Sequence, residues 1–174
     1  PNIILDTDGN GIYSHDSDRI TVAHNLIARS TRAAVFLSLG DAKRWVQGRG
    51  ATSRRHRVLN NIFTDNETVV EFDNPDNHSD YNVLGRDGGK GPLRIHRPEQ
   101  NLDLDAWREF HGWDTHSACA TVTVTFDHDS QTCSYTVEGA LPVCPRLPEA
   151  DVDYNGRPRA EGAVCPGPFD TVIS

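Results

Sequence analysis

The first 24 residues hold six side chains able to handle protons or bind cations: Asp6, Asp8, His15, Asp16, Asp18 and His24. Further on, Glu71 interrupts the apolar run Val69-Val70-Glu71-Phe72, and Asp73 follows it. Hydrolysis of a glycosidic bond needs two carboxyl groups flanking that bond. One protonates the leaving oxygen while the other activates water or attacks the sugar. Asp8 or Asp16 set against Glu71 or Asp73 is the pairing these positions suggest. Glu71 is the most informative of the four, because its side chain points the same way as Val69 and must face outward or be buried at a cost. Taken singly, each acidic residue reads more simply as a solvated corner.

A second cluster has the opposite sign. Residues 43–57 carry six of the seventeen basic residues, Lys43, Arg44, Arg49, Arg54, Arg55 and Arg57, beside Trp45. Arginine grips carboxylate or sulfate in bidentate fashion, and an indole stacks on a sugar ring. His15, Arg44, Trp45, Arg54 and Arg55 are therefore the candidate substrate-binding residues. A polysaccharide lyase also needs a cation to neutralise a uronate, plus a base such as Lys, Arg or His. The plain alternative is an exposed basic loop balancing an acidic body.

Other constellations are weaker. Asp6-Thr7-Asp8-Gly9-Asn10-Gly11 matches the opening of a calcium loop, with oxygen ligands at alternate positions. Its twelfth position is Ser17, not the bidentate Glu such loops use, and strands rather than helices flank it. A polar turn explains it, with calcium at Asp6, Asp8 and Asn10 as the alternative; no other metal or cofactor is expected. Asp114, His116 and Ser117 lie too close in sequence for nucleophile, base and orienter to converge. Trp107, Phe110 and Trp113 read as a sugar platform or, more simply, as the seat of a terminal helix.

Composition bounds the rest. The chain has 174 residues, 25 acidic against 17 basic, for a net charge of -8. That balance argues against a general binder of nucleic acid or anionic membrane. No apolar run approaches the ~20 residues that span a bilayer. A chain that begins at Pro1 and contains no Met is expected to be a trimmed product or part of a longer protein. Cys119, Cys133, Cys144 and Cys165 form no metal-type spacing, so disulfides and a secreted or extracytoplasmic setting are expected, with three pairings open. Asn66-Glu67-Thr68 and Asn77-His78-Ser79 match the glycosylation triplet.

The elements that must position these residues are short. Brief β-branched or apolar runs at 19–23, 34–37, 58–59, 62–63 and 69–72 read as strands between polar corners. Asn25, Asn61 and Asn82 each precede an apolar pair, and an Asn suits a tight corner because it tolerates left-handed backbone. The step of 21 residues from Asn61 to Asn82 equals one rung of a solenoid. The step of 36 from Asn25 to Asn61 equals one rung plus an insertion that emerges as a loop. Residues 101–111 read as a helix capped by Asp103, with Leu104 and Trp107 on one face. Residues 120–126 and 132–137 read as a hairpin around Asp127-His128-Asp129-Ser130. The proline-rich tail from Gly139 reads as extended chain.

Gly11-Ile12-Tyr13, Asp18-Arg19-Ile20-Thr21-Val22 and Asn25-Leu26-Ile27 resemble the right-handed parallel β-helix repeats of carbohydrate-active enzymes. Leu102-Asp103-Leu104-Asp105-Ala106-Trp107 with Gly112-Trp113-Asp114-Thr115-His116-Ser117 is similar to the segment after their last rungs. Asp153-Tyr154-Asn155-Gly156-Arg157-Pro158-Arg159 with Pro166-Gly167-Pro168-Phe169 is similar to their endings. Together these patches cover residues 9–117 and 151–169. The resemblance implies an all-β fold: a right-handed parallel β-helix of few rungs over residues 1–100, with the basic loop inserted at 38–57. Residues 101–174 would then add a helix, a hairpin and a disulfide-bearing tail. It further implies a secreted protein acting on a polysaccharide or oligosaccharide, by hydrolysis through a carboxylate pair. Lyase action on a uronate-containing glycan is one alternative. The other is a non-catalytic, glycan-binding or capping C-terminal piece of a larger β-helix protein. Self-association through an open end of the solenoid is a further expectation.

Overall fold

Single residues in left-handed backbone set the architecture of the first hundred residues. Asp6, Arg29 and Asp65 (φ 55–59°) turn one family of strands into the next, and His24, Asn60 and Tyr81 (φ 57–59°) do the same at another corner. Between such kinks no strand has room for more than six residues. The computed structural model describes residues 1–41, 43–46, 48–85 and 93–170. The side chains of Val46 and Arg49, parts of the expected basic loop and the extreme C-terminus lie outside that set.

The chain visits three sheets in a fixed order. Strands β1 (Ile3–Leu5), β2 (Ile12–His15) and β3 (Thr21–Ala23) make the first circuit, and β4 (Leu26–Ala28) and β5 (Ala33–Ser38) begin the second. A small antiparallel excursion, β6 (Trp45–Val46) with β7 (Arg49–Gly50), precedes β8 (Arg57–Leu59), which completes it. β9 (Ile62–Thr64), β10 (Thr68–Phe72) and β11 (His78–Asp80) form the third, and β12 (Val83–Gly85) and β13 (Leu93–His96) open a fourth. The first sheet runs β1-β4-β9-β12, the second β2-β5-β10-β13 and the third β3-β8-β11, every pairing parallel. Two additions follow: β14 (Glu99–Leu102) antiparallel on β13, and the antiparallel hairpin β15 (Ala118–Asp127) with β16 (Thr132–Glu138), whose β15 extends the first sheet parallel to β12. The fold is thus mostly β, with parallel-rich, curled sheets and, among the described residues, one α-helix. No helix among the described residues is long and apolar enough to cross a membrane.

Alternation decides what lies between the sheets. Ile27, Val35, Leu37, Val58, Phe63, Val70, Phe72, Leu84, Leu93 and Ile95 turn inward and are buried together. Each such side chain contributes roughly 1.5–3 kcal/mol on burial. Helix α1 (Leu104–His111) joins this core through Leu104 and Trp107. Asp103 caps its start by accepting from Ala106 N, and Gly112 ends it at φ 65°. The expected helical start at 101 is instead β14. Trp107 and Trp113 pack on Phe72, with centroids 6.2 and 5.7 Å away, so they seat the helix and are not a sugar platform; Phe110 is exposed.

The outer face of the first sheet is also apolar. Leu26, Ile62 and Val83 meet Ala120, Val122 and Tyr135 of the hairpin and Phe169 of the tail. The tail adds β17 (Cys144–Pro145) and β18 (Ala163–Val164), paired antiparallel, and a single 3-10 turn at Pro148–Ala150 among the described residues. It approaches so closely at Gly167 that an added Cβ would stand 2.6 Å from Ile62 Cδ1.

Asparagines knit the circuits. Asn25 Oδ1 accepts from Asn2 N and Nδ2 (both 2.9 Å), Asn61 Oδ1 from Asn25 N and Nδ2 (3.0 and 2.9 Å), and Asn82 Oδ1 from Asn61 N and Nδ2 (2.9 and 3.1 Å). Asn82 N then donates to Ser117 Oγ at 2.7 Å. The corner asparagines are therefore where the 36- and 21-residue steps place them, but their role differs. The left-handed residue is the one before each, and the amide serves the neighbouring circuit. Both glycosylation triplets fail on burial: Asn66 Nδ2 donates to the carbonyls of Ile27 and Thr64, and Asn77 Oδ1 accepts from His56 N.

The four cysteines are free thiols, in place of the expected disulfides. Cys133 faces Phe126 across the hairpin, while Cys119 lies seven residues from Phe126 along β15, about 23 Å away. That is far beyond the ~7 Å Cα limit for a bridge. Cys144 pairs with Val164, the residue before Cys165, and neither thiol is bridged.

Candidate functional site

The second sheet turns chemistry outward. Because Val35, Leu37, Val70, Phe72, Leu93 and Ile95 point into the core, their neighbours Phe36, Ser38, Glu71, Asp73, Arg94 and His96 alternate to the outside. Tyr13 and His15 extend the same face from β2, opposite Phe36 and Ser38. Parallel register thus lines up Tyr13, Phe36, Glu71 and Arg94 in one row.

Glu71 sits in that row only 8 % exposed. Its Oε1 accepts from the Thr68 hydroxyl at 2.6 Å, and its Oε2 lies 2.8 Å from His96 Nε2. Asp73, also buried, lies 3.5 Å from an Arg97 guanidinium nitrogen. Aromatic rings continue outward from this pair. His96 stacks on Phe36 at 4.9 Å, Phe36 meets Tyr13 at 5.4 Å, and Tyr13 meets His15 at 5.8 Å.

At the His15 end the floor opens into a cleft of 870 Å³ formed against the basic insertion. His15, Arg44, Trp45, Arg54 and Arg55 all line it, so residues spread over 41 positions of sequence converge, and Asp16 joins them. Trp45 is 71 % exposed, leaving its indole free to stack. Asp16 accepts from Gly40 N (2.9 Å) and meets His15 Nδ1 (3.1 Å) and Arg44 Nη1 (3.2 Å). The contact with His15 is the main cause that holds its carboxyl below the usual range. Asp18 contacts Arg55 at 2.8 Å, Arg54 at 3.7 Å and the Thr52 hydroxyl. Burial works against its charge, yet these partners outweigh burial and lower its pKa. Four arginines, with Arg19, face two aspartates here, a local positive excess on a chain of net charge -8.

Not every candidate converges. Asp8 lies at the corner before β2, where it accepts from Thr31 at 3.3 Å, and no hydrogen bond joins it to the other candidate acids. Asp16 stands two strands from the β10 carboxylates, about 10 Å by strand spacing. In the calcium-like loop, Asp6 holds Arg29 through 2.6 and 2.9 Å bonds and Asn10 Oδ1 accepts from Ala33 N. These oxygens tie the first circuit to the second. Among the described residues no three His, Cys, Asp or Glu side chains gather as a metal site. Asp114 accepts from Trp107 Nε1 and Asn82 Nδ2 (both 3.0 Å) and from Ser117 Oγ, whereas His116 bonds to Asp80 at 2.8 Å. Those three neighbours form no triad.

Sequence reasoning missed Tyr13, Phe36 and His96 as partners of Glu71. The signal was present in the repeat: the offset that sets Val70 beside Leu93 also sets Glu71 beside Arg94 and Asp73 near His96. Compared with known proteins, the chain matches no family model, no curated protein and no solved structure.

Proposed function

We propose that the three sheets are the faces of a right-handed parallel β-helix, and that its second face binds an anionic polysaccharide and hydrolyses it outside the cell. The observation that carries this reading is the convergence of His15, Arg44, Trp45, Arg54 and Arg55 in one cleft, continuous with the row that ends at Glu71 and His96. The arginines receive carboxylate or sulfate groups, and Trp45 and Tyr13 offer exposed rings to the sugar faces.

Glu71 and Asp73 are the proposed pair. Glu71 lies near the end of β10 and Asp73 just beyond it, about 6.6 Å apart by the rise of extended chain. That spacing suits the wider arrangement, in which a water fits between base and sugar and the anomeric configuration inverts. Their partners divide the roles. Glu71 faces an imidazole able to give and take a proton, so it donates to the leaving oxygen. Asp73 faces a guanidinium that keeps its charge, so it takes the base's part.

A lyase reading draws on a narrower observation, that His15 and the arginines share the cleft. One assay separates the two: a panel of neutral and acidic polysaccharides, followed for reducing ends and for ultraviolet absorbance of unsaturated uronate. Reducing ends without absorbance support hydrolysis, and both rising together support elimination. Silence from folded protein across the panel leaves a glycan-binding piece.

A further inference from the structure

A second hollow, of 630 Å³, lies on the outer face of the first sheet. Elsewhere on that face the hairpin and tail seal Leu26, Ile62 and Val83 completely. Over β1 they leave a gap whose floor is Ile3 and Leu5. Phe126 and Cys133 wall it from the hairpin, and Tyr154 and Phe169 from the tail. Its volume is in the range usual for small-ligand pockets, about 300–1,000 Å³.

The lining is specific in two respects. Its rings stand at right angles, Phe126 to His128 at 4.8 Å and 89°, and Tyr154 to Phe169 at 5.9 Å and 88°, so both ring faces and ring edges are presented. Its polar groups, Asp6, His128, Gln131 and Asn155, offer hydrogen-bonding partners around an apolar floor. Among the described residues no Lys or Arg lines it, and the Asp6 carboxylate is already engaged by Arg29. A pyranose matches that pattern, having an apolar C–H face and a hydroxyl edge. A uronate matches it less well, because the Arg29 guanidinium at this edge is already held by the Asp6 carboxylate.

We infer that this hollow is a second glycan site that takes neutral pyranose units, distinct from the arginine-lined cleft beside Asp16 and Asp18. The ligand class, though not the site, rests on the proposed function. The two sites therefore divide a mixed polysaccharide by charge: uronate or sulfated units go to the arginines, and neutral units to Phe126, Tyr154 and Phe169.

Titration calorimetry with saturation-transfer NMR tests this on the full chain, using cellotriose, xylotriose and mannotriose as neutral probes and trigalacturonate as the anionic one. Tyr154 is 53 % exposed, so Tyr154→Ala removes a ring wall without opening the core, and Phe126→Ala removes the opposite wall. The expected result is a neutral trisaccharide whose affinity falls at least fivefold in either variant but is unchanged in Arg54→Ser/Arg55→Ser. The inference is overturned if no neutral trisaccharide binds, if neither wall variant weakens it, or if the arginine variant weakens it equally. Binding of anilinonaphthalene sulfonate that depends on Tyr154, with none of the sugars bound, would assign the hollow to aromatic molecules and overturn the sugar reading. Inactivity toward every polysaccharide, with neutral binding intact, would refute the hydrolase proposal and leave this site standing.

Discussion

The imidazole of His96 meets the carboxylate of Glu71 at 2.8 Å across the β10–β13 pair, although 25 residues separate them in sequence. The pair lies on the outside of a sheet whose inner face is mostly apolar. A carboxylate in that place, 8 % exposed and bonded to Thr68 as well, does nothing for the core that a smaller residue would not do. Under the proposed function, its value lies in what approaches from outside.

Glu71→Gln is therefore expected to remove turnover while leaving the fold intact. Gln keeps the shape and still accepts from Thr68, but it cannot donate a proton to a leaving oxygen. Loss of a general acid costs roughly 10²–10⁴ in rate. The check is initial rate beside thermal unfolding; normal turnover would strike Glu71 from the mechanism, and a collapsed melting temperature would mark it as structural.

Replacing Arg54 and Arg55 with Ser should weaken binding of uronate-rich glycans by about tenfold and leave neutral glycans unaffected, since one lost charged hydrogen bond is worth ~1.5–3 kcal/mol before solvent screening. Both arginines are near half exposed and share Asp18, which discounts the effect. Affinity electrophoresis in gels holding pectate or a neutral glucan reads the difference. Equal retardation of variant and parent in the pectate gel would make the basic loop incidental.

Asn61 accepts from Asn25 and donates to Asn82, Val22 O and Leu59 O while fully buried. Asn61→Leu deletes every one of these bonds and strands donors and acceptors in the interior. Each stranded group costs ~1–3 kcal/mol, so a loss of about 3 kcal/mol or more is expected in urea unfolding. Asn2→Ala, at the exposed end of the same ladder, should cost well under half as much. Similar losses at both positions would mean that the ladder gains nothing from burial.

Some of this could be read from the residues alone. Asn25, Asn61 and Asn82 recur because each circuit needs the same amide at the same corner, so repetition exposes them; Asn2-Ile3-Ile4 repeats the pattern, and only its place at the chain start hid it. The acids and bases of the site were visible as types. Their grouping was not, because a strand's outward neighbours depend on register, and the register of β13 against β10 is set by a circuit of 23 residues rather than 21. Cysteine count misled for a related reason. An even number says nothing of reach, and Cys119 and Cys133 stand far apart along one hairpin.

His24 carries the last prediction. It occupies a left-handed corner at φ 57°, is fully buried, and its Nε2 lies 3.0 Å from the Asn60 amide nitrogen, which donates to it. Burial, reinforced by the positive charges of Arg159 and the N-terminus, lowers its pKa to about 4; the Gly167 carbonyl and Asp170 act the other way. The unfolded chain thus takes up the proton near pH 6.5, before the native state does. Stability from this group is full above pH 6.5 and is lost as pH falls through 4, by about 3 kcal/mol. Burial displaces His56 and His111 in the same direction. His24→Asn copies the residue that Asn60 places at the equivalent corner, tolerates the left-handed backbone and cannot titrate. Urea unfolding at pH 7 and pH 4.5 should therefore show a smaller acid loss in the variant than in the parent. An identical loss would place the acid sensitivity elsewhere, with His56 and His111 the next residues to change.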